Sequence, residues 1–371
     1  MAARAEPARP DGGAAGRLIV RSVTLRDFRS YPALELELQP GLVLAVGPNG
    51  AGKTNLLEAL HVGTQGFSPR TRTDAQLVRF GADAARIELQ GARADAPVEV
   101  EVTLRPGDAK RALLNGEVLR AAEQLRSSLA TLVFTPDRLV VVKGGPSARR
   151  AYFDRSAGRL FPARAVLPAE YAAAVGQRNA ALRRASLALS SREALEPWTE
   201  RVAALGAQLV ETRLEVTREL GPLFAAQADA LALEHAELRY EGEPPELEAL
   251  EARVDEDLER GTTGLGPHLH DFTIAAGGRE LRRFGSQGEQ RLAVLSLLLA
   301  EAELLALRGP APPLLLLDDV LSELDERRRH TLAERIGAGT QALITSTSAS
   351  ALPTEPAQLV EVAPGTARSA A

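Results

Sequence analysis

Two periods of hydrophobic residues divide this chain. Near its start Leu34, Leu36 and Leu38 alternate with Glu35, Glu37 and Gln39, which predicts a strand with one wet face. An apolar, β-branched run over Leu18–Leu25 predicts a strand before it, and Leu42–Val46 a buried strand after it. Leu56, Leu57, Ala59 and Leu60 then fall at helical spacing, so the chain opens β-β-β-α. Alternation returns over Arg86–Leu89 and Val98–Leu104. Asn115-Gly116 marks a tight hairpin turn, and Leu132–Phe134 reads as a short buried strand.

From about Arg149 the period becomes helical. Leu167, Tyr171 and Val175 stand four apart, and Trp198, Val202, Leu205, Leu209, Val216 and Leu220 nearly hold a heptad seam. Pro197 is expected to separate two long helices, and Gly221-Pro222 to kink the second. This pattern predicts a helical insertion folded back on itself over about 149–236. The final third is mixed: an apolar helix over Leu292–Leu307, a buried strand from Leu314 ending in Asp318 and Asp319, a helix over Arg327–Ile336 and a strand over Ala342–Thr347.

The expected fold class is therefore α/β, a mixed sheet with helices that carries an inserted helical lobe. The expected divisions are a disordered tail over 1–16, a first head segment over 17–148, the mostly helical lobe over 149–260, a second head segment over 261–365 and a tail over 366–371.

Composition removes several chemistries. The chain's 371 residues include no cysteine, which excludes disulfides, Cys-ligated zinc and thiol catalysis and suits a reducing, cytoplasmic setting. Hydrophobic content of 45% and charged content of 25% are ordinary for a globular protein. No apolar run approaches the roughly 18 residues of a membrane span, and the first sixteen residues lack the apolar core of a secretory signal. A net charge of −5 neither advertises nor excludes nucleic acid, because clustering on one face matters more than the sum.

Gly47-Pro48-Asn49-Gly50-Ala51-Gly52-Lys53-Thr54 matches G-x-x-x-x-G-K-[ST], and it lies between a predicted strand and a predicted helix. Glycines let backbone N–H groups turn inward on phosphate oxygens, and the new helix aims its positive end at them. Lys53 then reaches the outer phosphates and the Thr54 hydroxyl ligates Mg²⁺. The basic residues are almost all arginine, so a lysine at this position is hard to treat as coincidence. Asp318 closes a strand of four leucines, as a second Mg²⁺ contact does, and Asp319 stands where a base orients water.

Upstream, Phe284-Gly285-Ser286-Gln287-Gly288-Glu289-Gln290-Arg291 is a hydroxyl-and-glycine turn that opens a helix, a second anion-binding start. It resembles the signature of ATP-binding-cassette ATPases, usually Ser-Gly-Gly and here Ser-Gln-Gly. Ser322-Glu323-Leu324-Asp325 resembles their D-loop. P-loop, signature, acidic strand end and D-loop come in the cassette order.

The likeness then becomes narrower. Asp27-Phe28-Arg29-Ser30-Tyr31, the P-loop through Asn55, Arg79-Phe80-Gly81, Phe134–Asp137 and Lys143–Pro146 with Arg149-Arg150 carry it through the first half. Phe153-Asp154, Gln177-Arg178-Asn179, Gly266-Pro267-His268, the 284–291 turn and 314–325 complete it. Together these resemble the RecF family of bacterial recombination mediators from about Leu18 onward. Leu269-His270-Asp271 departs from the Arg-Asp pair that usually follows the Gly-Pro-His segment, and the N-terminal extension is extra.

That resemblance implies a weak ATPase whose ATP-driven homodimer acts as a switch on DNA, whether single-stranded, duplex or junction, in gap repair and replication restart. Two ATP molecules would be sandwiched, each between Lys53, Thr54, Asp318 and Asp319 of one subunit and Ser286 of the other. It further implies RecR and RecO as partners, Arg29 and Asn55 as nucleotide contacts, and no membrane. An SMC-like chromosome ATPase or a transporter ATPase subunit is the alternative. The lobe is too short for the long coiled coil of the former, and Asp319 replaces the glutamate usual in the latter. Gln76 and the 134–137 segment both remain candidates for the cassette glutamine loop. His268 and His270 bracket Leu269 without a third ligand at metal spacing, which favours a polar loop. Arg149, Arg150, Arg178, Arg183 and Arg184 are candidate DNA-phosphate contacts. An aromatic content of 4% favours backbone contacts over base stacking.

Overall fold

The computed structural model describes residues 18–93, 96–309, 312–336 and 340–370. The tail expected over 1–16 lies outside them. The chain divides into two compact units, one of residues 1–133, 305–324 and 333–371, the other of residues 134–304 and 325–332.

The first unit holds two sheets. Its strands are, in chain order, β1 (Leu18–Phe28), β2 (Tyr31–Glu37), β3 (Leu42–Val46), β4 (Ala85–Arg93), β5 (Ala96–Leu104), β6 (Arg111–Leu114), β7 (Glu117–Val118) and β8 (Thr131–Phe134). The second unit contributes β9 (Ala236–Glu241), β10 (Asp271–Ala276) and β11 (Arg279–Glu280). The first resumes with β12 (Leu314–Leu317), β13 (Ala342–Ser346), β14 (Gln358–Ala363) and β15 (Thr366–Ser369). Among the described residues one antiparallel sheet runs β2-β1-β4-β5-β6-β7, and the other runs β15-β14-β3-β13-β12-β8. The P-loop strand β3 lies parallel between β13 and β14, with its three central residues buried. That two-sided burial is why it reads as a continuous apolar run.

The helix Lys53–Gln65 is buried almost all round. Leu56, Leu57, Leu60 and Val62 share one apolar core with β1, β4 and β5 of one sheet and with Val43, Leu316 and Leu343 of the other. At Gly63 an added Cβ would meet Leu89 Cδ1 at 2.6 Å, so a larger residue there would require the Leu89 side chain to shift. Gly66, at φ 74°, ends the helix, and Asn115 and Gly116, both at positive φ, form the expected hairpin turn.

In the second unit Leu167–Ser186 and Glu196–Ala230 are the two long helices. Pro197 starts the second one, where a missing N–H costs nothing, and that helix continues past Pro222 to Ala230. Leu167, Tyr171, Val175, Val202, Leu205 and Leu209 form the apolar seam between them. Beside them β9, β10 and β11 make a three-stranded sheet. Phe153 stacks on Phe272 with ring centres 4.1 Å apart, and Tyr240 packs on the same ring at 4.7 Å.

Three expected boundaries change, the first because the second unit begins at Phe134 and not at 149. Residues 261–304 fold with the helical lobe, because β10 pairs along its length with β9 and because the Arg178 and Arg213 side chains reach Thr263 and Pro267. The signature turn therefore belongs to the second unit. The expected tail over 366–371 contains β15, an antiparallel partner of β14 that closes the sheet edge and buries Ala367.

Candidate nucleotide site

The P-loop leaves β3 through Gly47, whose N–H donates to Ser346 O at 3.3 Å. An added Cβ at Gly47 would lie 2.2 Å from Val362 O, so the backbone of β14 excludes any side chain there. Gly50 and Gly52 take φ of 80° and 111°, the left-handed conformations that turn the loop around a phosphate. Tyr31 donates its hydroxyl to Gly52 O at 3.0 Å, and this brace pins the loop where the helix begins.

Lys53 curls back over the loop, donating from Nζ to Gly47 O at 2.6 Å and Pro48 O at 3.0 Å. Its pKa is lowered by loss of hydration and supported by the nearby Asp319 and Asp318 carboxylates. Thr54 donates to Asp318 Oδ1 at 3.0 Å, so the hydroxyl and carboxylate expected around Mg²⁺ adjoin. Asp318 is buried at the end of β12, while Asp319 is exposed and left-handed at φ 51°. The left-handed cradle and an all-oxygen Thr54–Asp318 pair fit a magnesium triphosphate, a hard cation needing few protein ligands. Bound there, Mg²⁺ would supply Lewis-acid polarisation of the outer phosphates.

Thr345, absent from the sequence reading, organises both acids. Its hydroxyl donates to Asp318 Oδ1 at 2.7 Å and accepts from Asp319 N–H at 2.9 Å, and the residue is fully buried. The only signal was a hydroxyl at the end of a predicted strand. Thr345→Val, which keeps the shape and removes both bonds, is expected to lower stability by about 1–3 kcal/mol and to cut phosphate release at least roughly tenfold. Thr345→Ser should restore turnover. Denaturation curves and a phosphate-release assay check the pair.

Arg29 is fixed from behind. Its Nε and Nη2 both reach the Glu58 carboxylate at 2.9 Å, and Nη1 donates to Gln76 O at 2.8 Å. Glu58 is fully buried and also accepts from Ser68 Oγ at 2.5 Å and Arg70 at 3.3 Å. Asn55 donates to Ser30 Oγ at 2.9 Å. Gln76 takes a hydrogen bond from Thr71 on its side-chain oxygen, at 2.6 Å.

In the second unit Ser286 and Glu289 form a reciprocal capping box. Ser286 N–H donates to Glu289 Oε2 at 2.7 Å, and Glu289 N–H donates to Ser286 Oγ at 3.2 Å. The backbone N–H of Ser286 holds the Glu289 carboxyl below the usual range. Gln290 ties the turn down through Leu281 O and Gly285 O. Ser286, Gln287 and Gly288 lie at the helix start, and all three are exposed.

Two candidate DNA-phosphate contacts are corrected. Arg149 forms a two-pronged ion pair with Asp271 at 2.8 and 2.5 Å, and Arg178 pairs with Asp257 at 2.6 Å with both side chains fully enclosed. They hold the second unit together and cannot meet a phosphate at its surface. Arg150 donates to His270 O at 2.7 Å, whereas Arg183 and Arg184 are exposed. His268 is bonded to Tyr171 and to Thr263 O, and His270 to Tyr240. Burial lowers the pKa of both rings.

The sheets, the P-loop between strand and helix, the paired acids and the signature turn define a P-loop ATPase head of the ATP-binding-cassette type. Residues 19–367 match the RecF/RecN/SMC N terminal domain. The chain belongs to the RecF family: it is 36% identical over 364 residues to the DNA replication and repair protein RecF of Kineococcus radiotolerans, across 88% of this chain and 92% of that one. It is 34% identical to the protein of that name from Heliobacterium modesticaldum over the same shares. Among solved structures, the recombination mediator RecF with ATP superposes at a TM-score of 0.86 and 28% identity, covering 97% of this chain and all of that one. The Smc head domain of Pyrococcus furiosus shares the fold at a TM-score of 0.60 and 17% identity, covering 95% and 96%.

Proposed function

We propose that this chain is an ATP-dependent, DNA-binding recombination mediator with weak, DNA-stimulated ATPase activity, acting as a dimer switch in gap repair and replication restart. Two ATP molecules lie between two copies, the outer phosphate of each held by Lys53 of one copy and by the Ser286 turn of the other. Thr54 and Asp318 hold the Mg²⁺ shell, and Asp319 orients the attacking water. Loss of the outer phosphate removes what both copies grip, so turnover releases the dimer from single-stranded, duplex or junction DNA. RecR and RecO are the protein partners, in the cytoplasm.

The observation that carries this reading is the open start of the signature helix. Gln287 and Gly288 face solvent beside the Ser286 hydroxyl, on a turn braced from behind by Gln290, as a surface that meets a second subunit requires. The relatives' names and the ATP-bound RecF structure support the DNA and nucleotide assignments. Sedimentation with no nucleotide, ADP and ATP, with and without duplex DNA, tests the switch. A dimer is expected only with ATP, and Ser286→Arg should abolish it by placing bulk in the phosphate seat. A monomer throughout, binding DNA equally in every state, would sink the switch.

A further inference from the structure

Beside the P-loop helix the first unit opens a cleft of about 710 Å³ lined by Arg29, Ser30, Asn55, Arg70, Gln76 and Phe80, among others. It adjoins the phosphate cradle through Asn55. Ser30 holds Asn55, the residue after Thr54, while the neighbouring Tyr31 braces Gly52. An added Cβ at Gly52 would meet Ser30 Oγ and Tyr31 Oη at 3.0 Å each, so cradle and cleft are built against one another. Arg29 and Arg70 share the single carboxylate of Glu58, which leaves the cleft wall with excess positive charge.

Phe80 stands out against this polar lining. Its side chain is 101% exposed, the full surface of the ring. Yet the turn that carries it is pinned. Arg79 N–H donates to Asp27 O at 2.8 Å, Arg79 Nε reaches Asp27 Oδ1 at 2.6 Å, and Ala82 N–H closes the turn on Arg79 O at 3.0 Å. Gly81 takes φ 84° within it. A lone exposed phenylalanine is ordinary on a protein surface. A flat ring on a fixed turn, lining a cationic cleft beside a phosphate cradle, has a more particular complement: a flat base joined to phosphates.

We propose that Phe80 is the stacking platform for the base of the nucleotide whose phosphates the P-loop holds, and so distinguishes nucleoside triphosphates from bare polyphosphate. The inference rests on the nucleotide reading of the P-loop. Arg29 and Arg70 supply the charge that draws the phosphate side in, and Phe80 supplies the apolar face that only a base covers.

Calorimetric titration with magnesium ATP and with magnesium tripolyphosphate separates the two contributions. Phe80→Ala is expected to weaken ATP about tenfold, leave tripolyphosphate within about twofold, and leave the melting temperature unchanged because the ring is buried against nothing. Phe80→Trp should restore ATP affinity. An unchanged ATP affinity in Phe80→Ala overturns the proposal, and so does an equal loss for both probes, which would mark a structural turn. Weaker binding of a single-stranded oligonucleotide in Phe80→Ala, with ATP affinity intact, would assign the ring to nucleic acid instead. Wild-type protein that binds neither ATP nor tripolyphosphate would remove the nucleotide reading itself.

Discussion

Lys53→Ala is expected to lower ATP affinity at least about a hundredfold and to leave no measurable turnover. Two charge-assisted hydrogen bonds to phosphate, at about 1.5–3 kcal/mol each, account for a loss of that size. The ammonium already sits over the loop mouth on Gly47 O and Pro48 O, so little rearrangement separates it from a phosphate oxygen. Lys53→Arg should fail nearly as badly, because a planar guanidinium cannot occupy the seat of a compact ammonium. The fold should not notice: loss of hydration already disfavours the charged form of Lys53, and its partners are carbonyls of a loop at the surface. Calorimetry and a thermal melt on the same sample check both halves. A variant that still binds ATP tightly would contradict the role given to this residue.

The second large effect is structural. Arg178→Ala should destabilise the second unit by about 3–5 kcal/mol, the cost of leaving a buried carboxylate without its cation. Arg178 gives Nη1 to Asp257 and Thr263, Nε to Thr199 and Nη2 to Leu250 O, all within the interior. Asn179 takes the N–H and hydroxyl of Thr263 at 2.7 Å each, so one turn of helix staples the loop that leads into β10. Replacing Arg178 and Asp257 together by apolar residues should recover much of the loss, since the penalty lies in the orphaned charge. Urea denaturation compares the three proteins. Equal stability of Arg178→Ala and wild type would mean that water reaches Asp257.

These two residues also mark how much was legible in the sequence. Lys53 could be read because a P-loop is a local object: a strand, a glycine turn and a helix start within a few residues of one another, each with its own signal. The same holds for β12 with its terminal acids and for the helix start at Ser286. Arg178 could not be read, because an arginine on a helix is a solvated face by default, and its partner stands 79 positions away. Thr345 was missed for the same reason, since its hydroxyl gains meaning only when β13 lies beside β12. The division between units failed on a tertiary pairing. The boundary expected at 260 falls between β9 and β10, but those strands are hydrogen-bonded to each other, so both belong to one sheet of the second unit. The short polar β15 carried no apolar period strong enough to predict it.

The placement of β3 between β13 and β14 has a consequence for how the chain is made. β3 pairs with a strand that begins about 300 positions later, and Gly47 is packed against a carbonyl of β14. During synthesis the P-loop sequence therefore emerges long before either flanking strand exists, and its loop-closure entropy is drawn on before any pairing repays it. The nucleotide site is a late product of translation. A chain interrupted ahead of β13 would carry the whole phosphate-binding motif without the two strands that flank β3.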